Sequence, residues 1–273
     1  MNSERFVGFS GDTGAAMTPV ERRTRLSEIL LFDDPTDGLW EICDSGVAEV
    51  LVPELPALRL EQDPIHRHKD VLAHTIAVVA KTRPHLELRL AALFHDIGKP
   101  RTRSFEHGGV TFRHHEAVGA KMTRKRLREL NYDESVVADV AELVRLSGRF
   151  KGYGEGWGDA AVRRYARDAG HLLGLLNELV RSDCTTRNRA KEARLQEQID
   201  ELEERIAQLA QADFEAAERP QLDGRAVMDR FGVSGGPLIG KALSYLLELK
   251  RSEGVLPIEK VEARLDAWWV EHG

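Results

Sequence analysis

The amino-acid sequence predicts an all-α protein built as a helical bundle. Apolar residues recur at spacings of three and four through most of the 273-residue chain, which is the period of an amphipathic helix. Helix start and stop signals, such as Thr18-Pro19 and Gly236-Pro237, divide these segments. Strand-like alternation is confined to one short hairpin around residues 102–112, turned by residues 106–109.

The N-terminal region is predicted to begin with a flexible segment over residues 1–17. Its glycines between Gly8 and Gly14 are not followed by a lysine, so a phosphate-binding loop is disfavoured. Thr18 then caps a helix that runs to about Phe32, with proline in the first turn. A second helix, about residues 39–45, completes a helical segment over residues 18–65.

Residues 66–187 are predicted to form the central helical region. Helical apolar spacing surrounds His74 and precedes His95, and the glycines from Gly148 to Gly158 indicate a loop. Helices are expected to resume at residues 159–169 and 172–185. No internal repeat is visible in the chain.

A long helix is predicted next, because five apolar residues follow a heptad spacing of four, three, four, three. They are Leu195, Ile199, Leu202, Ile206 and Leu209. So few heptads favour an antiparallel helix within the chain, and a homodimer through residues 195–209 stays an alternative. Two shorter helices, 224–231 and 237–252, and a last helix with Trp268 and Trp269 follow, whose indoles are expected to pack within the protein.

The charge balance argues against a general nucleic-acid-binding protein, because the net charge is −6. Residues 99–194 nevertheless carry 20 Lys and Arg against 13 Asp and Glu. A basic region of the chain would attract an anionic substrate. Solvated helix faces would give the same count, so both interpretations stay open.

Composition also bears on the cellular compartment. No apolar run is long enough to span a membrane, and no charged-then-apolar segment opens the chain. The two cysteines, Cys43 and Cys184, have neither metal nor disulfide spacing. We therefore expect a cytoplasmic protein with no membrane partner.

The sequence pair His95-Asp96, set between the apolar run 88–94 and Gly98-Lys99, is the strongest candidate for chemistry. An imidazole and a neighbouring carboxylate can hold one divalent cation, and a bound cation can activate water against a phosphate ester. His74 and Asp183 lie on predicted helices on either side. This mixed nitrogen and oxygen set suits Mn, Ni, Mg, Zn or Fe and leaves the metal open.

In this order, His74, His95-Asp96 and Asp183 resemble the HD superfamily of metal-dependent phosphohydrolases. From about Thr18 to Glu271 the chain further resembles the C-terminal neck, HD and tail regions of bacterial tRNA nucleotidyltransferases and poly(A) polymerases. The blocks that carry this resemblance are 51–55, 66–71, 95–100, 112–116, 162–165, 181–188 and 235–240. The resemblance implies an HD-domain bundle at 66–187, a neck at 18–65 and a helical arm and tail at 188–273.

The family resemblance also assigns roles to residues. It implies that His74, His95, Asp96 and Asp183 hold the metal, and that Asp96 also orients water. Lys99 could contact a phosphate oxygen and offset transition-state charge. His115 matches a family histidine that binds the second ion in two-metal enzymes, but here it is expected to act on substrate instead. His114 and Arg187 are further substrate-binding candidates. Ser147 stands where close relatives have a histidine, which predicts one metal ion rather than two.

Nothing before His66 offers the glycine-rich loop and paired carboxylates of a nucleotidyltransferase head, so CCA addition is not expected of these residues. The leading hypothesis is a metal-dependent phosphohydrolase acting on a nucleotide or RNA-end phosphate ester, with a 2′,3′-cyclic phosphodiester preferred. The alternative is a non-catalytic tRNA-binding body of a headless or split enzyme. A third hypothesis is that the chain is a fragment or a decayed copy of a full-length enzyme.

Overall fold

The computed structural model describes residues 17–60, 70–106, 109–186 and 188–273. It confirms the all-α prediction, because the strands among these residues form one two-stranded hairpin. The chain divides into two compact units, Met1–Glu203 and Glu204–Gly273. None of the helices in the described part of the chain is long and apolar enough to cross a membrane.

The first unit contains the helices that precede and surround the candidate site. They are α1 (Pro19–Leu31), α2 (Thr36–Asp44), α3 (Ala48–Leu51), α4 (Val71–Lys81), α5 (Leu86–Phe94), α6 (Lys99–Thr102), α7 (His115–Glu129), α8 (Glu134–Leu146), α9 (Asp159–Ala169) and α10 (Leu173–Ser182). Helix α11 (Arg189–Ala217) begins in this unit and ends in the second. Its buried heptad residues in the first unit are Ile199 and Leu202.

Helix α1 begins where the sequence predicts it. The Glu21 backbone N–H donates to Thr18 Oγ1 at 3.3 Å, and the Thr18 N–H donates to the Glu21 carboxylate at 2.7 Å. This reciprocal capping box satisfies two N–H groups that the helix itself cannot pair. The helix then buries Leu26, Ile29 and Leu30.

Arg89 fixes helix α5, which leads directly into the candidate site. Its side chain is 1% exposed, and its guanidinium donates to the carbonyl of Leu30 in the last turn of α1, to those of Phe32 and Asp33 just after α1, and to that of Thr82 after α4. A guanidinium has five donors and no acceptor, so it suits a cluster of carbonyl oxygens. One buried cation thus ties the ends of two helices to α5.

The predicted hairpin is confirmed as β1 (Arg103–Glu106) paired antiparallel with β2 (Gly109–Phe112), with Arg103 opposite Phe112. The glycine-rich stretch predicted as a loop contains a 3₁₀ helix over Arg149–Glu155. Short 3₁₀ turns tolerate residues that would break an α-helix, which explains why glycine punctuation alone did not reveal it.

The second unit continues from α11 through α12 (Gly224–Phe231), α13 (Pro237–Glu253) and α14 (Ile258–His272). Its core is apolar and consists of Val227, Ile239, Ala242, Leu246, Val261 and Leu265. Trp269 stacks on Phe231 with ring centroids 4.1 Å apart, and Trp268 stacks on Tyr245 at 5.5 Å. The two indoles therefore pack within the unit. The predicted boundaries at residues 18, 66 and 188 stay predictions.

Candidate metal centre and its cavity

The structure brings the four predicted metal ligands together from one helix and from the ends of two others. His74 comes from α4, while His95 and Asp96 directly follow α5 and Asp183 follows α10. The nitrogen and oxygen atoms of His74, His95 and Asp96 lie within 4.8 Å of one another. Asp183 Oδ1 lies 2.9 Å from His74 Nε2 and 3.5 Å from His95 Nε2. Four donor atoms thus face one small space.

The hydrogen bonding of His95 prepares its second nitrogen for a cation. His95 Nδ1 donates to the Ala92 carbonyl at 2.7 Å. His95 Nε2 is buried and has no hydrogen-bond partner within the described part of the chain. A buried polar atom without a partner is costly, and a divalent ion would remove that cost. The donor set therefore fits a metal ion.

His74 is oriented in the same way by Thr185. His74 Nδ1 lies 2.8 Å from Thr185 Oγ1, while Nε2 faces Asp183. When Nδ1 carries the proton and donates to the hydroxyl, the Nε2 lone pair is free for a cation. Thr185 lies two residues after Asp183 within the block 181–188, but no sequence pattern identified it as a partner of His74.

The charges of the cluster shift its pKa values strongly. Burial alone would lower the pKa of His95, but the carboxylates of Asp96 and Asp183 raise it to about 10. Burial alone would raise the pKa of Asp96, but His95, His115 and Lys99 hold it well below the usual value. The hydrogen bond from His74 and the positive charge of His95 likewise lower the pKa of Asp183 against the effect of burial. The carboxylates thus stay ionised and favour positive charge between them.

Two further predicted residues contact Asp96. Lys99 is 6% exposed and its Nζ lies 2.6 Å from Asp96 Oδ2, so it is a buried cation beside the carboxylate. His115 Nε2 lies 3.5 Å from Asp96 Oδ1, and its Nδ1 donates to the Phe112 carbonyl at 2.8 Å. His115 therefore presents Nε2 toward the metal centre.

Gly98 explains how α7 comes so close to Asp96. A Cβ atom at Gly98 would lie 2.1 Å from the His115 carbonyl oxygen and 2.8 Å from the Gly119 nitrogen. Both are backbone atoms that cannot rotate away. Glycine is therefore required if the first turn of α7, which carries His115, is to pack against the turn after Asp96.

Two of the remaining predicted residues, His114 and Ser147, make no hydrogen bond or ion pair with the four ligands in the described part of the chain. His114 is exposed, has left-handed backbone geometry with φ 60°, and lines a separate groove of about 370 Å³ rather than the main cavity. Ser147 lines the main cavity, but its hydroxyl donates to the Val144 carbonyl of its own helix. Arg187 lies outside the described residues, as do residues 66–69 of one resemblance block.

The metal centre opens into a cavity of about 1030 Å³. Sequence reasoning missed several residues of its wall, because they come from segments interpreted as a loop and as a separate arm. Lys151 lies on the 3₁₀ helix, and Lys191 and Gln198 lie on α11. The heptad pattern did indicate α11 itself, but its period does not show which cavity a helix lines.

Comparison with protein families gives an independent result. The HD domain family matches residues 71–213. That span is more than half of the chain and includes His74, His95, Asp96 and Asp183.

Curated relatives are tRNA-processing proteins of bacteria. The CC-adding tRNA nucleotidyltransferase of Thermus thermophilus is 34% identical over 92% of this chain and 57% of its own length. The A-adding tRNA nucleotidyltransferase of Deinococcus radiodurans is 28% identical over 90% of this chain and 57% of its own. A Multifunctional CCA protein of Pseudomonas fluorescens is 30% identical over 51% of this chain. The chain thus spans little more than half the length of the first two relatives.

Proposed function

This chain belongs to the HD domain family, and we propose that it is a metal-dependent phosphohydrolase acting on a nucleotide or RNA-end phosphate ester. The observation that carries the proposal is the convergence of His74, His95, Asp96 and Asp183, with a buried His95 Nε2 that has no hydrogen-bond partner among the described residues. A 2′,3′-cyclic phosphodiester is the preferred substrate.

The proposed metal ligands are His74 Nε2, His95 Nε2 and carboxylate oxygens of Asp96 and Asp183. A bound divalent ion would supply an acidified water molecule and would offset phosphoryl charge. Mn, Ni, Mg, Zn and Fe are all compatible with this mixed donor set. Ser147 stands at the position of a family histidine, and its hydroxyl donates to the Val144 carbonyl. This replacement supports one bound ion rather than two.

The residues around the ligands would then act on the substrate. Asp96 orients the attacking water, and Lys99, 2.6 Å away, offsets the charge that develops on the phosphoryl oxygens. His115 Nε2 faces the same carboxylate and contacts the substrate or its leaving oxygen. In the net reaction the water oxygen bonds to phosphorus, one ribose P–O bond breaks, and a water proton passes to the departing ribose oxygen.

The test is hydrolysis of 2′,3′-cyclic AMP and of a generic phosphodiester with Mn, Ni, Mg or Zn added. Asp96→Asn keeps the side-chain shape but removes the charge, and we expect it to lower metal-dependent turnover by roughly 100-fold or more. Asp229→Asn is the matched control, because Asp229 is exposed in the second unit and its ion pair with Arg225 is long, at 3.9 Å. Equal activity of wild type and Asp96→Asn would contradict the proposal.

A second candidate is a non-catalytic tRNA-binding body. It is favoured by Ser147 at the histidine position and by relatives whose names state tRNA nucleotidyltransferase activity. It predicts no turnover with any of the metals, together with tRNA affinity that falls steeply with salt concentration. Metal-dependent turnover that the Asp96→Asn variant loses would exclude it as the sole function.

A further inference from the structure

The lining of the cavity includes two lysines, Lys151 and Lys191, in addition to Lys99. Its volume of about 1030 Å³ reaches the upper end of the range of roughly 300–1,000 Å³ typical of ligand pockets. The four metal ligands occupy one part of its lining. Two further walls come from the first half of α11 and from the 3₁₀ helix Arg149–Glu155.

The two walls meet at Gln198. A Cβ atom on Gly154 would lie 3.1 Å from Gln198 Nε2, so the 3₁₀ helix and α11 approach each other closely there. Leu195 on α11 and Phe150 on the 3₁₀ helix add apolar surface to the cavity. Such a lining, apolar with a few polar groups, can accept a nucleobase.

Each wall carries one lysine that the metal centre does not use. Lys191 is exposed, and within the described ranges its ammonium has no hydrogen bond or ion pair. Lys151 has a 67% exposed side chain, and its contact with Glu116 Oε1 is 3.5 Å long. An ion pair with that exposure and length contributes little. Lys99, by contrast, is buried against Asp96.

We infer that Lys151 and Lys191 bind phosphates next to the one that is hydrolysed, so the substrate is the end of an oligoribonucleotide rather than a free nucleotide. The inference rests on the proposed phosphohydrolase function and names the substrate class of that site. A cyclic mononucleotide has one phosphate, which Lys99 and the metal centre would take. Among the described residues, Lys191 would then have no anion to bind, and Lys151 would have its 3.5 Å contact with Glu116 alone. Ammonium groups are compact phosphate binders and act without demanding a fixed geometry.

The first readout is binding. We would measure the affinity of a fluorescein-labelled tetraribonucleotide ending in a 3′-phosphate, with Mn present, at several salt concentrations. Lys151→Gln and Lys191→Gln should each weaken binding by roughly threefold to tenfold. Each should also reduce the slope of log affinity against log salt by about 0.7, the value for one lost contact to a single strand. Lys121→Gln, an exposed lysine on α7, is the matched control and should change neither quantity.

The second readout is turnover of a tetraribonucleotide ending in a 2′,3′-cyclic phosphate against turnover of 2′,3′-cyclic AMP. The tetranucleotide should have the lower KM, and the two variants should raise that KM more than they raise the KM of cyclic AMP. If the tetranucleotide bound no more tightly than the mononucleotide, the inference would be overturned. The proposed function would still stand if metal-dependent turnover were observed. Lysine-dependent binding without turnover would overturn the function and keep the lysine site.

Discussion

The two units of the molecule differ in what they bury. Every polar or charged residue that is buried among the described residues lies in the first unit, including Arg89, His95, Asp96, Lys99 and His115. The core of the second unit is apolar, and its charged pairs, such as Arg230 with Asp266, lie at the surface. Burying charge costs free energy unless partners compensate it.

That contrast separates groups that hold the fold from groups that serve a site. In the first unit Arg89 has four carbonyl partners, whereas His95 Nε2 has no hydrogen-bond partner within the described ranges. The second unit shows no such unpartnered buried side-chain atom among its described residues. An incompletely satisfied polar cluster in a cavity is therefore the better indication of function than burial alone.

The largest expected effect on stability is at Arg89. Arg89→Met keeps the volume but leaves the carbonyls of Leu30, Phe32, Asp33 and Thr82 without their donor. We expect the free energy of unfolding of the first unit to fall by about 3 kcal/mol or more. Urea denaturation combined with hydrogen–deuterium exchange, read separately for each unit, measures this loss. Arg145→Met, at a half-exposed pair with Glu142, is the control and should cost less than about 1 kcal/mol.

Metal binding should stabilise the first unit selectively. Mn at 100 times its dissociation constant should add about 2.7 kcal/mol to its free energy of unfolding, since unfolding separates the ligands. His95→Ala should remove most of that increment, and exchange in residues 218–273 should not change in either protein. The control is His171→Ala, because His171 is 75% exposed and pairs only with Asp139. An equal Mn effect on both units would contradict a metal centre at His95.

The aromatic stack of the second unit should have a smaller effect. Trp269→Leu removes the stack on Phe231, where the ring planes differ by 3°, and should cost about 1 kcal/mol beyond the lost apolar area. The loss should appear in the exchange of α12 and α14 and leave metal binding intact. Val270→Ala, at an 88% exposed side chain, should be neutral. A change in metal affinity on Trp269→Leu would contradict the independence of the two regions.

The smallest predicted effect is a pH dependence at Asp266. Two hydrogen bonds from Arg230, each 2.7 Å long, lower the pKa of Asp266 from 3.8. Because the pKa is lower in the folded state, the pair stabilises the unit at neutral pH. That contribution is lost as the pH falls below about 3.8 through the folded pKa. Asp266→Asn should therefore lower the free energy of unfolding by less than about 1 kcal/mol at pH 7. When unfolding is measured over a range of pH, the variant and the wild type should have the same free energy of unfolding at the acid end.

Much of the fold follows from local sequence signals. Thr18, Pro19 and Glu21 specify a helix start whose hydrogen bonds involve only their own turn, and the paired strands Arg103–Glu106 and Gly109–Phe112 are close neighbours along the chain. The long helix α11 follows from its heptad period. The prediction of a loop at 148–158 was incomplete, because this segment contains the 3₁₀ helix Arg149–Glu155. A 3₁₀ helix depends on a few i→i+3 hydrogen bonds that leave no periodic pattern in the sequence.

The candidate site was predictable only in part. The types and order of the four candidate ligands could be predicted from the HD resemblance, and the structure brings their nitrogen and oxygen atoms close together. The contact of Thr185 with His74 could not be predicted from the sequence. Nor could the burial of Lys99, which the sequence left as either an exposed cation or one that contacts a phosphate. The wall formed by Lys191 and Gln198 was missed because the sequence assigned residues from 188 onward to a separate arm.

The sequence by itself determined where several helices begin or end, which residue types could ligate a metal, and which family the chain resembles. Those features depend on neighbours within a few residues, on side-chain chemistry or on motif order. Only the tertiary structure decided that His74 meets Asp183, 109 positions away, that Arg89 joins the ends of α1 and α4, and that Gly98 lets His115 approach Asp96. Such contacts depend on how helices pack against one another, and helical periodicity fixes the face of a helix but not its partner.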